Sequence, residues 1–230
     1  MQLLKDFFSL IYPRNCLACK NLLFKHEEFI CNHCFVNLPK SNFHLQEQSE
    51  LDRVFFGRVP ILAAGSFYVF EKSGRVQQLL HQIKYKGNKE LAKQLGAWYA
   101  TYLKEDRDFF KSHVIIPVPL HPKKFKQRGF NQSEEFAKGF SDVWNLPLVT
   151  TNLIRTDFTS TQTKKRKFDR WENVKDKFDL ANPEELKNKT VILVDDVITT
   201  GATIDACYQA LSKAEGIKIN VLSLAYARKN

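Results

Sequence analysis

The sequence predicts an α/β protein in which helices flank a mostly parallel sheet, with a small cysteine-containing segment towards the N-terminus. Short runs of Val, Ile and Leu alternate with stretches in which apolar residues recur every three or four positions. Such alternation is typical of right-handed strand–helix–strand units, and hence of a parallel sheet. The length of 230 residues accommodates one full domain of this kind and a small appendage.

We divide the chain into an N-terminal segment over 1–38, a linker over 39–58 and a main domain over 59–230. The linker is predicted because residues 39–58 are polar and show no apolar period. Residues 3–11 fit a short amphipathic helix, and the basic stretch over 151–177 is expected to be a loop. The expected strands cover 61–70 (one strand or a hairpin), 114–119, 146–150, 191–194 and 217–226, and the expected helices cover 74–85, 91–103, 130–144 and 204–214.

Four of the five cysteines form two Cys-x-x-Cys pairs, Cys16 with Cys19 and Cys31 with Cys34. Each pair brings two sulfur atoms together from one turn, and four thiolates suit a closed tetrahedral Zn²⁺ site. Residues 24–30 are expected to form a β-ribbon between the pairs. Two disulfides are the alternative, which a reducing compartment disfavours. The cysteines therefore predict a structural zinc ribbon without chemistry at the metal.

The composition indicates a globular, strongly basic protein, with a formal net charge of +10. No apolar run approaches the roughly 18 residues that span a bilayer, so we expect a cytoplasmic protein without membrane insertion. The charge suits a polyanionic partner, although a basic solvated surface would give the same value. Two basic stretches, both predicted loops, contain a Phe that can stack on a base and suggest single-stranded DNA as a partner. They comprise Lys124, Phe125, Lys126 and Arg128, and Lys164, Lys165, Arg166 and Phe168.

The segment over 191–203 carries the most specific pattern in the chain. Four apolar residues predict a strand buried on both faces, and Asp195 and Asp196 follow at its carboxyl end. A loop of Thr, Gly and Ala then leads into a helix, whose N-terminus and backbone N–H groups attract a phosphate. The carboxylates suit sugar hydroxyls or a hydrated Mg²⁺. Asp and Thr are also ordinary helix caps, but capping needs only one such residue, so the pattern predicts a sugar-phosphate site.

This segment resembles the 5-phosphoribosyl 1-pyrophosphate (PRPP) motif of the type I phosphoribosyltransferases. The resemblance implies the fold of that family, with Mg²⁺ accompanying PRPP. It also implies that Asp195 and Asp196 meet the ribose 2′- and 3′-hydroxyls. The residues implied to cradle the 5′-phosphate are Thr199, Thr200, Gly201, Ala202 and Thr203.

The order of motifs along nearly the whole chain resembles the ComF (ComFC-like) competence family. The pieces that carry this resemblance lie at 13–16, 83–87, 116–122 and 128–133, at scattered positions from 155 to 178, and in the PRPP motif. The resemblance implies a C-terminal domain similar to amidophosphoribosyltransferases. It also implies a link to the uptake and processing of transforming DNA, with the DNA-uptake machinery as a partner.

Further roles follow from the same resemblance. In type I phosphoribosyltransferases a loop placed like Leu120, His121 and Lys123 wraps the pyrophosphate. The stretch over 151–177 takes the place of a flexible loop that closes over PRPP, which implies a catalytic role for Arg170 against the leaving pyrophosphate. A solvent-exposed basic loop and a disordered linker are the alternatives for these two stretches.

The favoured reaction is phosphoribosyl transfer, in which pyrophosphate leaves C1′ and a nucleophile attacks from the opposite face. Positioning and charge neutralisation carry such chemistry, so no side chain need act as the nucleophile. The alternative is a non-catalytic, single-stranded-DNA-binding competence accessory protein that uses the PRPP pocket as a ligand sensor. An enzyme acting at zinc is a third and weaker hypothesis. No pattern in the sequence identifies an acceptor.

Overall fold

A computed structural model of the chain describes residues 13–103, 109, 111–156 and 178–228. Its strands are β1 (Ile61–Phe70), β2 (Val114–Pro117), β3 (Leu153–Arg155), β4 (Phe178–Leu180), β5 (Thr190–Ile198) and β6 (Lys218–Ala227). Four of them form a parallel sheet in the order β1–β6–β5–β2, and β3 pairs with β4 in an antiparallel ribbon. The predicted α/β class with a mostly parallel sheet is confirmed.

The centre of the sheet explains why residues 191–194 of β5 are apolar without interruption. Val191 and Leu193 belong to the core on one face, and Ile192 and Val194 belong to the core on the other. A strand covered on both faces needs apolar side chains at consecutive positions rather than at alternate ones. The chain therefore places its most apolar strand where helices cover both sides.

Seven α-helices and two 3₁₀ helices are found among the described residues. They are α1 (Asn32–Asn37), α2 (Glu50–Phe55), α3 (Arg75–Tyr85), α4 (Lys89–Tyr102), α5 (Pro122–Arg128), α6 (Gln132–Trp144) and α7 (Ala202–Leu211), with 3₁₀ turns at Phe43–Leu45 and Pro183–Leu186. Buried residues of α3, α4 and α6 share one core with the cysteine segment, whereas α2 and α7 share the other. The sheet thus lies between two layers.

The segment over 39–58, predicted as an irregular linker, contains a 3₁₀ turn and α2. The side chain of Ser49 accepts a hydrogen bond from the Asp52 N–H while Asp52 accepts from the Ser49 N–H, which is a capping box. Just before it, the Ser41 N–H donates to the Phe67 carbonyl at 3.0 Å. The chain therefore runs along the outer edge of β1 and covers it, which protects an otherwise exposed sheet edge.

Three local predictions differ from the structure. The expected β-ribbon over 24–30 is not found in that described range, where turns and bends occur instead. The basic loop expected after β2 is helix α5, and the strand expected over 146–150 contributes a single bridge from Leu148 to Ile115.

The amphipathic helix predicted over 3–11 lies outside the described residues. Within the described ranges, no helix is both long enough and apolar enough to cross a bilayer.

Candidate functional site

The four N-terminal cysteines converge on one point. The Sγ atoms of Cys16, Cys19, Cys31 and Cys34 all lie within 4.8 Å of one another, and all four are free thiols. The two pairs contact each other directly, because the Sγ atoms of Cys19 and Cys31 are 3.7 Å apart. Two disulfides, the alternative for these residues, are therefore not formed. The donor set is one that can bind a structural zinc ion.

Crowding in the cluster shifts the acidity of its thiols in opposite directions. Burial raises the pKa of Cys34, and the neighbouring sulfur atoms raise it further. Burial also acts on Cys16, but backbone N–H donors led by that of Cys31 outweigh it and lower the pKa to about 7. The cluster is packed into the domain, since the ring of Phe35 on α1 meets Trp98 on α4 edge-on at 5.0 Å.

The acidic pair lies at the carboxyl end of β5, with the two carboxylates in different surroundings. Asp195 is buried, and its Oδ1 accepts hydrogen bonds from the Ser133 hydroxyl at 3.2 Å and the Asp196 N–H at 2.8 Å. Burial, reinforced by the adjacent charge of Asp196, raises the pKa of Asp195 to about 7. Asp196 is half-buried and forms an ion pair with Lys84, whose Nζ lies 2.8 Å from its Oδ2.

The loop after β5 is shaped by one glycine. Gly201 is the N-cap of α7 and has φ of 75°, in the left-handed region that favours glycine. A Cβ atom there would lie 2.8 Å from Phe55 Cε1 and 2.9 Å from Val54 Cγ1. The N-cap residue itself therefore offers no side chain to the helix, and the Thr200 hydroxyl accepts a hydrogen bond from the Ala202 N–H at 3.4 Å. The neighbouring Thr199, Thr200, Ala202 and Thr203 are all exposed.

Arg58, in the segment predicted as a linker, forms hydrogen bonds that hold this loop in place. The Arg58 guanidinium donates to the Thr200 carbonyl at 2.9 Å and to the Val54 carbonyl at 3.0 Å. It also pairs with Asp205 in the first turn of α7. Arg58 thus fixes the Thr200 carbonyl and the first turn of α7 to the segment that follows α2. The arrangement suits an anion at the helix N-terminus.

The segment after β2 lies alongside this motif. The Val118 N–H donates to the Val194 carbonyl at 2.8 Å, which continues the pairing of β2 with β5. His121 is the N-cap of α5, and its Nδ1 accepts from the Lys123 N–H at 3.1 Å. Leu120 and His121 are half-buried, and the Lys123 side chain is exposed.

The residues predicted for nucleic-acid contact are divided by the structure. Lys124, Phe125 and Lys126 are exposed on helix α5 rather than on a loop. Arg128 turns away from them, because its guanidinium lies 5.8 Å from the Tyr85 ring centroid and donates to Gln132 Oε1 at 2.7 Å. The second basic stretch, with Lys164, Lys165, Arg166 and Phe168, lies outside the described residues, as does Arg170.

Sequence reasoning gave no role to three residues that touch the motif. Lys84 and Ser133 lie within the segments that carry the family resemblance, but nothing in their spacing points to the acidic pair. Arg58 lies in the predicted linker, where no local signal identifies it. Their partners are distant along the chain, so only the fold brings these contacts together.

Comparison with known proteins shows what this region and the chain are similar to. Residues 131–230 match the family model described as the phosphoribosyl transferase domain. The chain is 37% identical over 115 residues to Competence protein F of Haemophilus influenzae, covering 50% of each chain. It is 27% identical over 213 residues to Competence protein ComFC of Bacillus subtilis, covering 91% of this chain and 82% of that protein. These matches support a ComFC-like protein whose C-terminal part is phosphoribosyltransferase-like.

A further relative is the DNA utilization protein YhgH of Escherichia coli O157:H7, 29% identical over 149 residues, with 64% of this chain and 65% of that protein covered. The ComFC-like chain thus spans about half the length of the Haemophilus protein and about two thirds of the Escherichia one. The region matched by the domain model contains α6, β5, the loop around Gly201 and α7. Arg58, Lys84 and the cysteine cluster all precede it.

Proposed function

We propose that this chain binds PRPP at the carboxyl end of β5 and transfers its phosphoribosyl group, as a ComF-type protein linked to DNA uptake and natural transformation. One observation carries the proposal: an acidic pair, a left-handed glycine loop and a helix N-terminus adjoin one another inside the region that matches the phosphoribosyl transferase domain. The names of the competence relatives support the biological setting.

In the proposed complex, each part of PRPP has its own partners. Asp195 and Asp196 accept hydrogen bonds from the ribose hydroxyls. The backbone N–H groups and hydroxyls of 199–203 bind the 5′-phosphate, helped by the α7 N-terminus. The pyrophosphate lies against the segment after β2, with Leu120, His121 and Lys123.

The reaction breaks the bond between C1′ and the pyrophosphate oxygen, and the leaving pyrophosphate keeps the electron pair. The nucleophile then forms its bond to C1′ on the opposite face. The enzyme positions the groups and neutralises charge that develops on the pyrophosphate. Arg170 is proposed to contribute to this neutralisation.

Mg²⁺ is proposed to accompany PRPP. The acidic pair has the oxygen donors that this ion prefers, and Asp196 is accessible while Asp195 is buried. A bound ion would add positive charge beside the phosphates. In the chain itself, Ser133 keeps Asp195 oriented and Lys84 balances the charge of Asp196.

A structural Zn²⁺ ion is proposed for the cysteine cluster. Four thiolates complete a tetrahedral shell, so no position remains open for a substrate. The ion would join residues 13–20 to α1, and through Phe35 to α4. This role is stabilising rather than catalytic.

The DNA link is proposed from the relatives and from the surface. Competence and DNA utilization proteins are named among the relatives, and Lys124, Phe125 and Lys126 present two cations and an aromatic ring on α5. Single-stranded DNA and the DNA-uptake machinery are the proposed partners. The alternative, a non-catalytic DNA-binding accessory protein, is not favoured, because its expected basic loop is a short helix from which Arg128 points away.

Calorimetry with PRPP tests the binding site. Wild-type protein is expected to bind PRPP, and Asp196→Asn is expected to bind it more weakly. Gly201→Val is expected to lose PRPP binding, because the new side chain clashes with Phe55 and Val54 and displaces the loop. Gly87→Val is the matched control, since Gly87 also has positive φ (69°) but has nothing within 4 Å of its Cβ position.

Unchanged PRPP affinity in both Asp196→Asn and Gly201→Val would exclude the site. Catalysis is tested separately, by measuring PRPP consumption with a panel of bases and nucleic acids. Consumption with one acceptor supports the transferase. Binding without consumption by any member of the panel would instead favour the ligand-sensor alternative.

A further inference from the structure

Lys84 forms an ion pair with Asp196, one of the two carboxylates that the proposed function assigns to the ribose hydroxyls. It lies in the last turn of α3, and its Nζ is 2.8 Å from Asp196 Oδ2, with both side chains 20% exposed. A ribose hydroxyl that donates to Asp196 must approach the same oxygen atoms. A bound ribose and Lys84 therefore compete for the carboxylate of Asp196.

A second cation, Arg128, lies over the side chain of the residue that follows this lysine. The Arg128 guanidinium is 5.8 Å from the ring centroid of Tyr85, the residue after Lys84. Its Nη1 is bound to Gln132, but its Nε is buried and has no hydrogen-bond partner in the described part of the chain. A buried donor without a partner is costly in the free protein and is available to an anion. Lys84 on α3 thus contacts Asp196 directly, and Arg128 on α5 is bound to Gln132, the residue before Ser133, which donates to Asp195.

The chemistry of PRPP indicates what these cations face. The pyrophosphate is attached to C1′, the ring carbon next to C2′, whose hydroxyl the acidic pair is proposed to bind. The 5′-phosphate is directed to the loop over 199–203, at the other end of the ribose. A lysine that touches Asp196 is therefore within a side-chain movement of the pyrophosphate.

We propose that Lys84 exchanges partners when PRPP binds, leaving Asp196 for the pyrophosphate, with Arg128 as the second cation for that group. The proposal rests on the proposed function, because it requires PRPP at the acidic pair. Exchange keeps the half-buried lysine paired in both states, which avoids the cost of an uncompensated charge. It also releases Asp196 to accept from the ribose, and it gives the pyrophosphate a charge-assisted contact.

Two ligands separate this role from a merely structural one. Ribose 5-phosphate carries the 5′-phosphate and the ring hydroxyls but has no pyrophosphate. In calorimetry at fixed Mg²⁺, Lys84→Gln is expected to weaken PRPP binding by roughly tenfold or more, the usual scale for a lost charge-assisted contact. The same variant is expected to bind ribose 5-phosphate as well as the wild type does, or more tightly, because Asp196 is no longer occupied.

Matched variants control for charge and fold. Lys93→Gln removes the same charge from a surface pair with Asp142 and is expected to change neither affinity. Lys84→Arg keeps the charge and is expected to retain most of the PRPP affinity. If Lys84→Gln fails to fold by circular dichroism, Lys84→Met, which keeps the apolar stem, is measured in its place with the same expectation.

The outcomes test the exchange by Lys84 and the PRPP site separately. A selective loss of PRPP affinity supports the exchange. Equal losses for both ligands, or no loss for either, overturn it while leaving the PRPP site in place. A wild-type protein that binds neither ligand overturns the proposed function, and the exchange with it.

Discussion

The cysteine cluster and the acidic motif are both candidate sites, but the chain assembles them differently. The four thiols come from one continuous segment over 16–34 and converge through two local turns. The acidic motif takes its supporting contacts from α3, from α6 and from the turn after α2, where Arg58 reaches Thr200 across 142 positions of sequence. The first site depends on its own spacing, whereas the second depends on the fold of the whole domain.

The two sites also differ in how they hold charge without a ligand. The cysteine cluster gathers four thiols that must lose protons to bind a metal. In the acidic motif, Lys84 already balances Asp196, and Asp195 is held by Ser133. We therefore expect the cluster to depend on its ion for order, and the acidic motif to keep its shape when empty.

The largest effect is expected from Cys19→Ser. Loss of one thiolate opens the tetrahedral shell, so bound zinc should fall from about one per chain to none. Because metal binding drives the folding of such segments, the free energy of unfolding should fall by several kcal/mol, on the order of what structural zinc contributes. Metal analysis, chemical denaturation and amide exchange over 13–36 measure these changes.

Cys207→Ala is the control for this variant, because it removes a thiol that is buried in α7 and lies outside the cluster. It should leave the zinc content unchanged. PRPP binding by Cys19→Ser then sharpens the comparison: retained affinity shows that the acidic motif stands without the cluster. A metal-free wild type with residues 13–36 protected from exchange contradicts the zinc proposal.

The sequence predicts a feature well when its geometry is set within about a dozen residues. The cysteine spacing and the strand–loop–helix unit at 190–211 are of this kind, and both are present in the structure. The contacts of Lys84 and Arg58 depend on which distant segments the fold brings to the edge of the sheet. The local spacing of residues does not indicate these long-range neighbours.

Helix α5 shows a different reason for a missed element. Its sequence is dense in lysine and gives no apolar face, so it is easily taken for a solvated loop. The signal is in its ends, where Pro122 stands at the first helical turn and Gly129 closes the helix in the left-handed conformation. End chemistry rather than periodicity would have predicted it.

A smaller, pH-dependent effect is expected from Asp195→Asn. The pKa of Asp195 is about 7 in the folded protein and about 3.9 in an unfolded chain. Between these values the folded state holds a proton that the unfolded state has lost, so the free energy of unfolding falls as pH rises from about 4 to about 7 and levels off above that. Asn cannot ionise, and the variant should lack this contribution.

Denaturation of both proteins at pH 5 and pH 8 measures the difference. Asp195→Asn should gain stability relative to the wild type at the higher pH, by up to about 1.4 kcal/mol for each pH unit crossed. Asp142→Asn, which removes a surface carboxylate paired with Lys93, should keep the wild-type slope. Parallel slopes for Asp195→Asn and the wild type would mean that Asp195 is not held in this environment.

The smallest effect is expected from Arg58→Met, which tests whether the acidic motif depends on the distant segment that supports it. The Arg58 side chain is 42% exposed, so losing its pair with Asp205 should cost at most about 1 kcal/mol of stability. PRPP affinity should fall several-fold, because the Thr200 carbonyl loses its donor and the phosphate loop is less well fixed. Arg53→Met, which changes an exposed arginine on α2 shortly before Arg58, should change neither quantity. Calorimetry measures PRPP affinity, and denaturation measures the stability of the two variants. If Arg58→Met binds PRPP as the wild type does, the segment with α2 and Arg58 stabilises the domain without positioning the loop. The loop would then keep its binding geometry without this distant contact.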